Sequence, residues 1–156
     1  ILHNGRLVAV FFAFPSSWNP GDKQGYTLLD LHRPVADGDA LRKSTDVLWR
    51  MISGTNQYTR HVWTIQGDDN LSAHPSYERK SPKILDDMWL RLETQHTVPI
   101  TEQTVAFLVA IDVLRLNTIF RSEEDKRLIY DSIDSMTDEV LEYKGLKSIK
   151  EILHAS

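Results

Sequence analysis

Arg91 and His96 are the side chains of this sequence whose types and spacing best suit catalysis. An imidazole exchanges a proton readily, and a guanidinium matches the oxygens of a phosphate, so together they could cleave a phosphate ester without a metal. Gly67-Asp68-Asp69 follows an apolar run, and adjacent carboxylates can hold magnesium for phosphoryl transfer. Asp86-Asp87 with Glu93 forms another acidic group, but neighbouring helix residues point about 100° apart, which makes a solvated face rather than a catalytic pair. Six histidines, His3, His32, His61, His74, His96 and His154, never fall at ligand spacing, and no His-Glu-x-x-His occurs, so no metal site is expected. His32 and His61 would make an imidazole pair beside Asp30 if they met on neighbouring strands.

The segment Arg91-Leu-Glu-Thr-Gln-His96 resembles the arginine, four to six residues, histidine signature of helical HEPN-type ribonucleases. The resemblance covers six residues, with Leu92 where a polar residue often follows the arginine, and it implies His96 acting on an RNA 2′-hydroxyl and Arg91 on the phosphate. Gly67-Asp68-Asp69 resembles the metal-binding turn of RNA-dependent polymerases, but 156 residues cannot supply their palm, fingers and thumb; a plain acidic turn is the expectation.

Other chemistries lack their signatures. No Gly-x-Ser-x-Gly elbow, Gly-rich phosphate loop or dinucleotide fingerprint is present. Cysteine is absent, which excludes disulfides and thiolate ligands and agrees with a reducing, intracellular setting in cytoplasm or nucleus. Charges balance through residue 99, so the net charge of -4 falls after it, and Arg79-Lys80-Ser81-Pro82-Lys83 is only a small basic loop. Duplex nucleic acid is therefore an unlikely partner. Apolar runs stop far short of the roughly 18 residues that span a bilayer, so no membrane is expected.

Glycine and proline organise the reading of the fold. All six prolines and every glycine but Gly145 lie before residue 100. Because these residues punctuate turns and interrupt helices, the pattern predicts an α+β domain over 1–156, sheet-rich over 1–80 and helical over 81–156. Opening on Ile1 suggests a piece excised from a longer chain. A small, mainly antiparallel sheet of about three strands is expected at 6–14, 24–32 and 58–66, with one helix inserted over 37–52. Residues 66–80 read as a loop. Helices are expected at about 82–95, 102–120, 123–144 and 146–154. Ser81-Pro82 and Thr101 serve as starts, and Gly145 as a stop. The apolar run 105–120 reads as a buried helix at the core.

With no strong catalytic motif, the preferred function is a non-catalytic intracellular protein-protein interaction or assembly domain without a cofactor. It would dock another protein, or a second copy of itself, through Trp18 and the stripe Leu146, Ile149, Ile152 and Leu153. The alternative is a small metal-independent ribonuclease or phosphoesterase using Arg91 and His96.

Overall fold

The chain, as a computed structural model describing residues 1–155, begins with a hairpin. Asn4 and Gly5 both take positive φ, 48° and 70°, a conformation these residues adopt at little cost and one that closes a two-residue turn with the twist of its strands. Strands β1 (Leu2–His3) and β2 (Arg6–Leu7) accordingly pair antiparallel, with Leu2 opposite Leu7. With β3 (Tyr58–Gln66), β4 (Trp89–Thr101) and β5 (Thr104–Arg115) they make an antiparallel sheet in the order β2-β1-β5-β4-β3, in which Leu2 faces Val105. The α+β class is as expected, but the sheet has five strands instead of about three.

Two of those strands replace expected helices. Residues 82–95 hold a single 3-10 turn, Leu85–Asp87, and then enter β4, which runs through Pro99; residues 102–120 form β5 and the short helix α4 (Leu116–Ile119). In β5, Val105, Phe107, Val109, Ile111 and Val113 alternate with more exposed residues. Val105 is fully buried, whereas Leu108 is 53% exposed. That is the period of two of a strand with one covered face, and β-branched residues suit it. The run is therefore no embedded helical rod. The intervening turn, Glu102-Gln103, needs no positive φ and so no glycine marked it.

The described residues form two compact units. The first comprises Ile1–Val62, Ser72–Tyr77 and Glu93–Ala110. Its core is Leu2, Leu7, Leu28, Ile52 and Val105, with Val10, Leu31, Leu48 and Trp49 packed against it. Helix α1 (Leu28–His32) stands where a strand over 24–32 was expected. The reason is local. Thr27 Oγ1 accepts the Asp30 amide at 3.1 Å while Asp30 Oδ2 accepts the Thr27 amide at 3.2 Å, a reciprocal cap that satisfies two amides a starting helix leaves unpaired. The helix expected at 37–52 is two, α2 (Asp39–Lys43) and α3 (Thr45–Ile52), interrupted at Ser44. The strand expected at 6–14 ends at Leu7. Beyond it the amides of Val8 and Ala9 both turn to the Ile1 carbonyl, and Phe11 emerges 91% exposed.

The second unit comprises Trp63–Leu71, Glu78–Leu92 and 111–155. Its core gathers Ile65, Met88, Leu116, Ile133, Leu141, Leu146, Ile149 and Leu153. Helix α5 (Glu123–Asp134) is capped by Ser122 as expected, but the predicted helix 123–144 is divided: Thr137 caps a new one, α6 (Asp138–Lys144). Gly145, at φ 68°, ends α6, and α7 (Lys147–Ala155) falls where 146–154 was expected.

Candidate functional site

Strand geometry disperses the pair Arg91 and His96. Five positions apart on β4, they project to opposite faces, because strand side chains alternate. Arg91 is buried and donates from Nη1 to the Leu71 carbonyl at 2.6 Å; His96 pairs through Nδ1 with Thr59 Oγ1 at 2.8 Å. The helix on which the ribonuclease reading rested is absent. His61 pairs with Thr94 on the neighbouring strand, while Asp30 is committed to Thr27 and Arg33. In the Gly67-Asp68-Asp69 turn, Asp68 Oδ1 accepts the Asn70 amide at 3.1 Å. No group of three metal-ligating side chains occurs among the described residues. Asp86 accepts a hydrogen bond from Asn117 at 2.6 Å in the second unit. Leu146, Ile149 and Leu153 are buried in the core of that unit, Ile152 packs against it, and Trp18 lies partly buried with its ring edge-on to Phe12.

A different set of residues converges in the first unit. Leu2, Leu28, Leu48, Met51, Ile52 and Phe107 form the apolar part of the wall of a cavity of about 260 Å³, below the roughly 300–1,000 Å³ common for ligand pockets. The other lining residues are polar: His32 from α1, and Tyr58, Thr59, Arg60, Gln95 and Thr97 from β3 and β4.

The cap that builds α1 also places His32, whose Nδ1 lies 2.7 Å from the Leu28 carbonyl one turn earlier. A carbonyl only accepts, so Nδ1 carries the hydrogen and Nε2 of the neutral ring keeps its lone pair. Nε2 makes no hydrogen bond among the described residues. Thr97, 9% exposed, has a buried hydroxyl oxygen without a partner, a group that costs free energy unless something in the cavity meets it. Gln95, equally buried, accepts from Arg60 Nε at 2.6 Å and donates to Glu93 Oε2 at 2.8 Å.

The sequence pattern put His32 and Asp30 on a strand neighbouring that of His61, and it did not single out Arg60, Gln95 or Thr97. The available signals were Thr27-Leu-Leu-Asp30, a helix start carrying His32 at its end, and the odd-numbered polar residues Gln95 and Thr97 on one face of an alternating strand.

The fold and cavity define an α+β protein with a small, partly apolar recess lined by one imidazole, that of His32. Residues 3–154 match a family model described as haem-dependent oxidative N-demethylase, alpha subunit-like, and the chain belongs to that family. No curated protein matches it. Family membership corrects the reading as a non-catalytic interaction domain docking through Trp18 and the C-terminal helices, because the family is associated with an enzyme. It also removes the support for a protein without a cofactor, while a subunit description agrees with association with other proteins. Among the described residues, no helix is long and apolar enough to cross a membrane.

One lining residue, His32, is of the type that ligates a haem iron. A neutral imidazole whose other nitrogen is engaged by a backbone carbonyl is the arrangement that orients a metal-binding histidine. The walls are apolar, and the orphaned Thr97 hydroxyl marks a polar point awaiting a partner. A macrocycle needs more room than the present volume of about 260 Å³.

Proposed function

We propose that the chain is a haem-carrying subunit of an oxidative N-demethylase, in which the cavity of the first unit would receive the haem and His32 would hold its iron. The observation that supports this most directly is the 2.7 Å contact from His32 Nδ1 to the Leu28 carbonyl, which presents Nε2 as a free lone pair in an apolar recess. When bound, haem supplies the redox chemistry in the family's description, oxidative removal of a methyl group from nitrogen.

The protein's part in this reading is binding and orientation. Leu28 fixes the imidazole, and the Thr27–Asp30 cap fixes the turn that carries both. Leu2, Leu48, Ile52 and Phe107 would keep water from the bound group.

Titration of the purified chain with haemin, read by absorption, tests the assignment. The wild type should give the spectrum of a histidine-ligated haem, His32→Ala should lose it, and added imidazole should restore it. A spectrum indifferent to His32→Ala, or no binding by the wild type, contradicts the proposal.

A further inference from the structure

Three side-chain contacts fix how β3 lies against β4. Thr59 Oγ1 meets His96 Nδ1 at 2.8 Å, Arg60 Nε donates to Gln95 Oε1 at 2.6 Å, and His61 Nδ1 meets Thr94 Oγ1 at 3.2 Å. As one strand ascends the other descends, so residue 59 stands opposite 96, 60 opposite 95 and 61 opposite 94. Strand side chains alternate, which puts Arg60 and Gln95 on one face and Thr59, His61, Thr94 and His96 together on the other.

On that second face each histidine stands opposite a threonine, and the two imidazoles are diagonal neighbours. Such positions lie about 7–8 Å apart across an antiparallel pair, within reach of long side chains. Both rings are held at Nδ1 by the facing hydroxyl, and Nε2 of neither makes a hydrogen bond among the described residues. A hydroxyl can accept the Nδ1 hydrogen, which leaves Nε2 its lone pair. A hydrogen bond at one ring nitrogen is what orients a metal-binding histidine at the other.

The neighbours narrow the ion. Where β3 and β4 belong to the first unit, the rest of that face is Val98 and Ile100, with no carboxylate. Imidazole without carboxylate suits zinc, nickel or copper rather than magnesium or calcium. We infer that His61 and His96 bind a divalent ion of that kind through their Nε2 atoms and so tie β3 to β4, with Thr59 and Thr94 as positioning residues. Water fills the positions that the protein leaves open. This site is separate from the one proposed for haem, since neither histidine lines the cavity.

Zinc titration of the chain by calorimetry tests the assignment. Wild type should bind zinc; His61→Ala and His96→Ala should each weaken it about tenfold or more, and the double variant should add little, because either loss alone ends chelation. Thr94→Val should cost roughly tenfold, the lower end of what losing an orienting partner costs a metal site, while Thr94→Ser, which keeps the hydroxyl, should not. In wild-type NMR spectra, zinc should shift the ring signals of His61 and His96 and leave those of His32 in place, a readout that needs no variant to fold. No binding by wild type, unchanged affinity in either alanine variant, or shifts confined to other histidines would overturn the inference and leave the haem reading untouched.

Discussion

Thr27 and Asp30 do two jobs with one set of atoms: they start α1, and in doing so they set the turn from which His32 lines the cavity. The Thr27 hydroxyl is the main reason the Asp30 carboxyl titrates below its ordinary value of 3.8; the Thr27 backbone amide, Arg33 and Arg6 lower it further, against a smaller opposing effect of burial. A carboxyl lowered by folding stabilises the fold at all pH above its unfolded value, and that contribution disappears as pH falls through the lower folded value. Asp134 is also lowered, first by its hydrogen bond to His154 and then by Lys150, so it adds to the same acid limb. Asp30→Asn should therefore be less stable than wild type at pH 7, with the gap closing toward pH 3. Denaturant midpoints at both pH values measure this, and a gap independent of pH would show that the cap does not work through the ionised carboxyl.

Elements separate into those written locally and those decided by long-range pairing. Helix α5 was legible because Ser122 and the acids after it form a start signal, and α7 because Leu146, Ile149, Ile152 and Leu153 recur at helical spacing. Strand β3 was legible from its alternation. β4 and β5 were not, since a long apolar run without breakers fits a buried helix and a strand alike, and Pro99, read as a boundary, sits inside β4. Arg91 and His96 became a candidate pair only on that mistaken helix. The cavity was illegible for the same reason, because Gln95 and Thr97 face it only when β4 is a strand. Two substitutions in β5 distinguish the arrangements. Val105→Ala, in the core, should cost about 2 kcal/mol, while Leu108→Ala, on the exposed side, should stay within about 0.5 kcal/mol. Equal large costs would fit a helix buried on all sides and contradict the strand.

Among the described residues, two cores form from different stretches of sequence. The apolar stripe of the final helices is largely consumed in the core of the second unit, which is why residues that looked like a docking face in sequence sit among Met88, Leu116 and Ile133. The first unit keeps a recess beside its core, with an imidazole, a guanidinium and an orphaned hydroxyl on its wall. Placement of haem in that recess is the claim on which the proposed function depends. Hydrogen–deuterium exchange of the chain with and without haemin tests that placement most directly. The account predicts slower exchange at 28–32, 48–52, 58–60 and 95–97 when haemin is present. Unchanged exchange in those segments, with protection confined to 116–155, would contradict it.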